Sequence, residues 1–130
     1  MRRLRHLRDD RGAAAVEFAL VLPVLLLLIF GLMEFGRLYN VQISLSNAAR
    51  EGARTMAIEN SPVAARAAAV AAAPSITPVI STSQIAISPN TNCVPGSTAT
   101  VVITYTVALM TGWFGPNLTL TGTGAMRCGE

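Results

Sequence analysis

An apolar run closed by arginine at both ends limits what this chain can become. Residues 12–36 read GAAAVEFALVLPVLLLLIFGLMEFG, between Arg11 and Arg37. As a helix, a run of this length covers about 37 Å, against about 30 Å for the hydrocarbon core of a bilayer. Its Leu, Ile, Val and Phe side chains favour insertion by roughly 4 to 8 kcal/mol together, whereas one central carboxylate opposes it by about 3 kcal/mol. Glu17 and Glu34 both lie towards the ends, where the penalty is smaller. Pro23 bends the helix or loosens one turn without preventing insertion. The run is expected to be a transmembrane helix, with the lipid bilayer as its first partner.

Charge sets the expected orientation. Arg2, Arg3, Arg5, Arg8 and Arg11 stand against Asp9 and Asp10 in the leader, which therefore carries the whole net charge of +3. The other five arginines are balanced by Glu17, Glu34, Glu51, Glu59 and Glu130, and there is no lysine. Positive-inside asymmetry places the amino terminus in the cytoplasm and the residues beyond Arg37 outside. This basic balance reports topology. No basic face with aromatic or polar contacts is visible, so nucleic acid is not an expected partner. A cleaved secretory signal is the competing reading of the run. It fits poorly: the apolar stretch exceeds an h-region of about 7–15 residues, and no small-x-small site follows it.

Past the membrane the helix is expected to run to about Ile58. Leu38, Val41, Leu45, Ala48, Gly52 and Met56 recur at spacings of three and four and mark one apolar stripe, with Asn47, Arg50 and Arg54 on a polar one. The first half of the rod is thus apolar all round and the second half amphipathic. Ser61-Pro62 starts a short alanine-rich helix over Val63 to Ala73, ended by Pro74. Strands are predicted at about Ile76–Ile87, Ala99–Leu109 and Leu118–Met126, the second from the alternation of Ile103, Tyr105 and Val107 with threonines. The expected fold is α+β: a long amino-terminal helix packed on a small antiparallel, strand-rich head. Its expected parts are a leader (1–12), a transmembrane helix (13–37), its extracytoplasmic continuation (38–60) and the head (61–130). About seventy residues make a marginal core alone, so support from the helix is expected.

Cys93 and Cys128 both fall on the expected outside, a compartment that permits oxidation. One disulfide between them would stabilise the head by about 3.5–4 kcal/mol in the chain-entropy picture and would tie the last strand to the loop before the middle one. Two buried thiols are the other reading. Their spacing fits no zinc site, and the sole histidine, His6, lies in the leader. No nucleophile–base pair and no phosphate-cradling glycine loop is apparent. No catalytic residue, metal, cofactor or small-molecule substrate is therefore expected.

The membrane edge carries the most specific signal. Arg11-Gly12-Ala13-Ala14-Ala15-Val16-Glu17-Phe18 has a basic leader, a glycine, and glutamate at the fifth position after it. This resembles the processing signal of type IV pilin-like proteins. Gly12 to Pro23, Glu34-Phe35-Gly36-Arg37 and Asn47-Ala48-Ala49-Arg50-Glu51-Gly52-Ala53-Arg54 together resemble the TadE-like family of tight-adherence systems. The resemblance covers about residues 11–55 and is weak over the head. It implies a non-enzymatic pseudopilin or minor pilin of Flp-type pili, held in the bacterial inner membrane with a periplasmic or extracellular head. It further implies cleavage between Gly12 and Ala13 by a prepilin peptidase, with Gly12, Ala13, Glu17 and Phe18 as the processing residues. Other pilin-like subunits and an ATP-driven assembly machine are the implied partners. The alternative is an uncleaved single-pass envelope protein whose head is a binding or adhesion module.

The residues themselves support this less specifically. After cleavage, a carboxylate at Glu17 can pair with the new α-amine of its own chain or a neighbour, fixing register between apolar helices. Its simpler role is an interfacial carboxylate at a helix start. Ala13, Ala14, Ala15 and Ala19 permit close helix approach. Glu34 and Arg37, three positions apart, read as a pair at the outer membrane boundary with Arg37 snorkelling, or as docking residues for another subunit. Arg50, Glu51 and Arg54 read first as a solvated face. Trp113-Phe114 reads as a plug beneath a loop, with a contact site as the other possibility.

Overall fold

The computed structural model describes the backbone of residues 3–129 and side chains from Gly12 to Gly129; the side chains of the basic leader, His6 included, lie outside the described residues. Helix α1 runs over Arg3–Glu59 without a break at Pro23. Helix α2 follows at Pro62–Ala71, then strands β1 (Ile85–Ser88), β2 (Thr98–Ala108) and β3 (Asn117–Arg127). The sheet is antiparallel in the order β1-β2-β3. The class is α+β, with a long amino-terminal helix and a three-stranded antiparallel sheet. Two compact units divide the chain, Met1–Phe35 and Gly36–Glu130.

In the second unit the helix is the spine of the core. Leu45, Ala48, Ala49, Gly52, Ala53 and Met56 of α1 are all buried, together with Ala65 and Ala69 of α2 and the inward face of β2: Ala99, Val101, Ile103, Tyr105 and Val107. Strict alternation along β2 gives this face, as the threonine-interleaved sequence requires. Beside it β3 is built differently. Gly124 pairs with Val101 and Gly122 with Ile103, so the inner face of β3 is bare where the helix crosses it. A Cβ at Gly122 would come within 2.5 Å of the Leu45 carbonyl, and one at Gly124 would collide with the Ala49 carbonyl and the Arg50 amide. Gly52 has the same role towards α2: a Cβ there would lie 3.1 Å from Ala69 Cβ and 3.2 Å from Ala65 O. Absent side chains let the backbones meet, and dense packing follows from contact between main chains.

Local chemistry fixes the element ends. Ser61 caps α2, accepting from Ala64 N–H at 3.3 Å, with Pro62 in the first turn, as the sequence indicated. The helix α1 terminates at Asn60, whose φ of 51° places it in the left-handed region while its N–H still donates to Met56 O at 3.0 Å. The same residue's Oδ1 accepts from the Cys93 N–H, joining the helix end to the disulfide loop.

Three expectations need correction. The strand expected over 76–87 is a strand only at Ile85–Ser88. Ile76 and Ile80 share one phase of the alternation and Ile85 and Ile87 the other, so one strand cannot direct all four inward. A 3-10 turn at Thr82–Gln84, started by Ser81 with Gln84 bonding back to the Ser81 N–H at 2.8 Å, absorbs the change, and all four isoleucines are buried. Helix α2 stops at Ala71, two residues short of the expected end, with Ala72 as its cap. Trp113 and Phe114 are not a plug: both are exposed.

Candidate processing and assembly site

In the first unit, the residues of the motif that resembles a processing signal occupy successive turns of α1. Gly12, Ala13, Glu17 and Phe18 are all exposed, and a side chain added at Gly12 would meet nothing within 4 Å. Ala13 and Glu17 are four apart on a helix, hence on one face a turn from each other. From Val16 to Phe35 the large apolar side chains are exposed all round the helix, Phe18, Leu20, Val24 and Leu32 among them. Only large apolar surfaces facing lipid or other helices make such a helix stable. It is long and apolar enough to cross a membrane.

Glu34 is the exception in this segment. It is 5 % exposed and is the one buried polar or charged side chain among the described residues. A buried carboxylate is costly to place, which sets it apart from the exposed Glu17. Sequence spacing gave no sign of this burial, because the carboxylate stands next to exposed Met33 and Phe35 in an apolar run.

In the second unit, Arg37 Nη1 donates to Ala108 O at 2.9 Å, and Gln42 Nε2 donates to Thr121 O at 2.8 Å. These bonds stitch the spine helix to both strands of the β2–β3 hairpin. Next to them lies a cleft of about 470 Å³, lined by Arg37, Asn40, Val41, Thr77, Tyr105 and Asn117 with their neighbours. Tyr105 closes one wall by donating from its hydroxyl to Pro78 O at 2.7 Å. Arg50, Glu51 and Arg54 are exposed on the opposite side from the buried stripe. Cys93 and Cys128 are joined in a disulfide with their Cα atoms 5.5 Å apart, and Ser97 N–H, Cys128 N–H and Gly96 N–H bonds hold the loop around it. No group of three or more His, Cys, Asp and Glu suited to a metal occurs among the described residues.

What sequence reasoning missed is the small-residue seam. Gly122 and Gly124, two apart in a strand of alternating period, were a legible signal for close approach of another backbone on one face. Gly52 was read as part of an apolar stripe, without the contact with α2 that makes it necessary.

Residues 12–54 match the family of TadE-like proteins. No curated protein and no solved structure matches the chain. Over the membrane-length helix and most of the buried spine, the chain is therefore similar to TadE-like proteins.

Proposed function

We propose that this chain is a pilin-like membrane subunit that takes part in assembly of tight-adherence, Flp-type pili. The observation that carries the reading is the match of residues 12–54 to TadE-like proteins, which includes the segment from Val16 to Phe35 whose large apolar side chains are exposed. Residues 1–12 are the leader, removed by a prepilin peptidase between Gly12 and Ala13. Residues 13–37 span the inner membrane with the amino terminus cytoplasmic, 38–60 continue the helix outside, and 61–130 complete a periplasmic or extracellular head. The subunit is structural and performs no chemistry of its own.

Mechanistically, each part follows from an energetic requirement. The apolar helix is stable in lipid and equally stable among the helices of a filament, so transfer between the two exchanges like surfaces. Glu17 supplies direction: in an apolar bundle its carboxylate requires a positive partner, and the α-amine of residue 13 on the next subunit satisfies it at one register only. Arg37, whose guanidinium already holds the hairpin through Ala108 O, stands at the outer boundary and keeps the head in water.

The amino terminus of the protein from native membranes, read by mass spectrometry, tests processing. The expected end is Ala13. An intact leader in cells with an active prepilin peptidase would sink the processed-subunit mechanism and favour an anchored binding module. With processing established, Glu17→Ala is expected to reduce incorporation into pili at least tenfold, equivalent to about 1.4 kcal/mol or more of lost pairing, with the head still folded. Unchanged incorporation would remove Glu17 from the assembly step.

A further inference from the structure

The β2–β3 hairpin ends in a turn that presents two aromatic rings to the outside. Gly112 and Gly115 have φ of 64° and 102°, and Gly115 N–H donates to Gly112 O at 3.3 Å. Beneath them Leu109 N–H donates to Pro116 O at 3.1 Å and closes the base of the loop. Trp113 and Phe114 are left at the two central positions, 58 % and 81 % exposed. Both glycines permit a turn that side chains would strain, so the sequence holds the rings out instead of folding them back. Leu118, just beyond the loop, is also exposed. A contiguous apolar tip of this kind marks a contact with something apolar.

Its position says with what. The Arg37–Ala108 bond lies at the start of the unit's helix, Gln42 meets Thr121, and Leu45 and Ala49 meet Gly122 and Gly124 in turn. Strand β3 therefore runs in the same sense as the helix, and loop 109–116 lies at the end of the unit where that helix begins. Helix 36–59 and an eleven-residue strand each span about 36 Å. The disulfide and Asn60 accordingly occupy the far end. Gly36 is bonded directly to Phe35, the last residue of the apolar unit. The aromatic tip thus lies at the end of the head from which the chain continues into the apolar segment. Loop 109–116 carries no charged side chain, so no ionised group on the loop itself has to leave water for the tip to enter lipid.

We propose that the Trp113–Phe114 turn dips into the headgroup–acyl boundary of the bilayer, giving the head a second lipid contact beside its helix. Tryptophan suits that depth, with an apolar ring and an N–H that can still reach polar headgroups. Two contacts fix what a single helix leaves free, namely the rotation of the head about the helix axis. This inference rests on the membrane reading of the apolar segment.

Trp113 is the sole tryptophan, so its fluorescence reports the tip alone. The full chain is reconstituted into phosphatidylcholine vesicles at high lipid excess. Quenching is read with lipid brominated near the top of its acyl chains and, separately, with iodide on both sides. Brominated lipid is expected to remove the larger part of the emission and iodide little of it. Phe114→Ser is expected to reverse that preference while the chain still floats with vesicles after carbonate washing. Emission quenched by iodide and indifferent to brominated lipid, in a chain that floats, overturns the proposal. Protection from both quenchers also overturns it, because the tip would then be covered by protein. A chain that does not float overturns the membrane reading itself, a result that flotation distinguishes from failure of the tip alone.

Discussion

Helix α1 is one element with two opposite ways of being apolar. Over residues 12–35 its side chains are large and exposed; over 36–59 its fully buried positions include Ala48, Ala49 and Ala53, with Gly52 between them and Leu45 and Met56 at either end. Hydropathy alone would have predicted the reverse, with the leucine-rich half inside. Size decides the matter. Small residues let α2 and β3 bring their backbones against the helix, while the large ones are kept for surroundings that the chain does not itself supply. Burial within one chain therefore marks where its own main chain comes close, and exposed bulk marks where other molecules do.

Three changes break or sharpen this contrast. The largest effect is expected from removing the disulfide: Cys93→Ser with Cys128→Ser should lower the head's stability by about 3.5–4 kcal/mol, with the helicity of the apolar half retained. Denaturant unfolding in micelles, followed by tyrosine fluorescence and circular dichroism together, checks both halves of that statement. Leu45→Ala should cost about 3 kcal/mol through the cavity it leaves, whereas Leu25→Ala, an exposed leucine on the same helix, should stay within about 0.5 kcal/mol. Equal losses at the two leucines would show that the halves are not different in kind. The subtlest comparison concerns glycines. Gly124→Ala, forced against the helix backbone, should destabilise by about 1–3 kcal/mol, while Gly36→Ala, with nothing within 4 Å, should stabilise by about 0.5–1 kcal/mol. Shifts of the same sign in the thermal midpoint would refute the seam.

Much of the architecture was readable because its signals are local or periodic. The buried stripe Leu45–Ala48–Gly52–Met56 follows from helical spacing, β2 from alternation and the start of α2 from Ser61-Pro62. The region 74–84 was not readable as drawn. Its isoleucines are buried as a strand's would be, but Ser81 and Gln84 turn the chain by side-chain hydrogen bonds that composition does not announce. The burial of Glu34 was hidden for another reason: it depends on what surrounds one position of a helix and leaves no periodic trace. Trp113 and Phe114 misled because aromatic rings among glycines fit a core plug and an exposed tip equally well, and only the closed Gly112–Gly115 turn distinguishes them. The proposed processing residues rest on a sequence motif alone, to which the tertiary structure adds only that Gly12, Ala13, Glu17 and Phe18 are exposed.

The seam between Leu45–Ala49 and Gly122–Gly124 has a consequence for timing. It joins a helix made before the sheet to the strand made after β2, so the head has no complete core until β3 has been made. Until Gly122 and Gly124 meet Leu45 and Ala49, the small-residue face stays open. A chain cut short of β3 would be left with its spine uncovered and without Cys128 to join Cys93. Closure of this seam is in effect the point at which the head becomes one body.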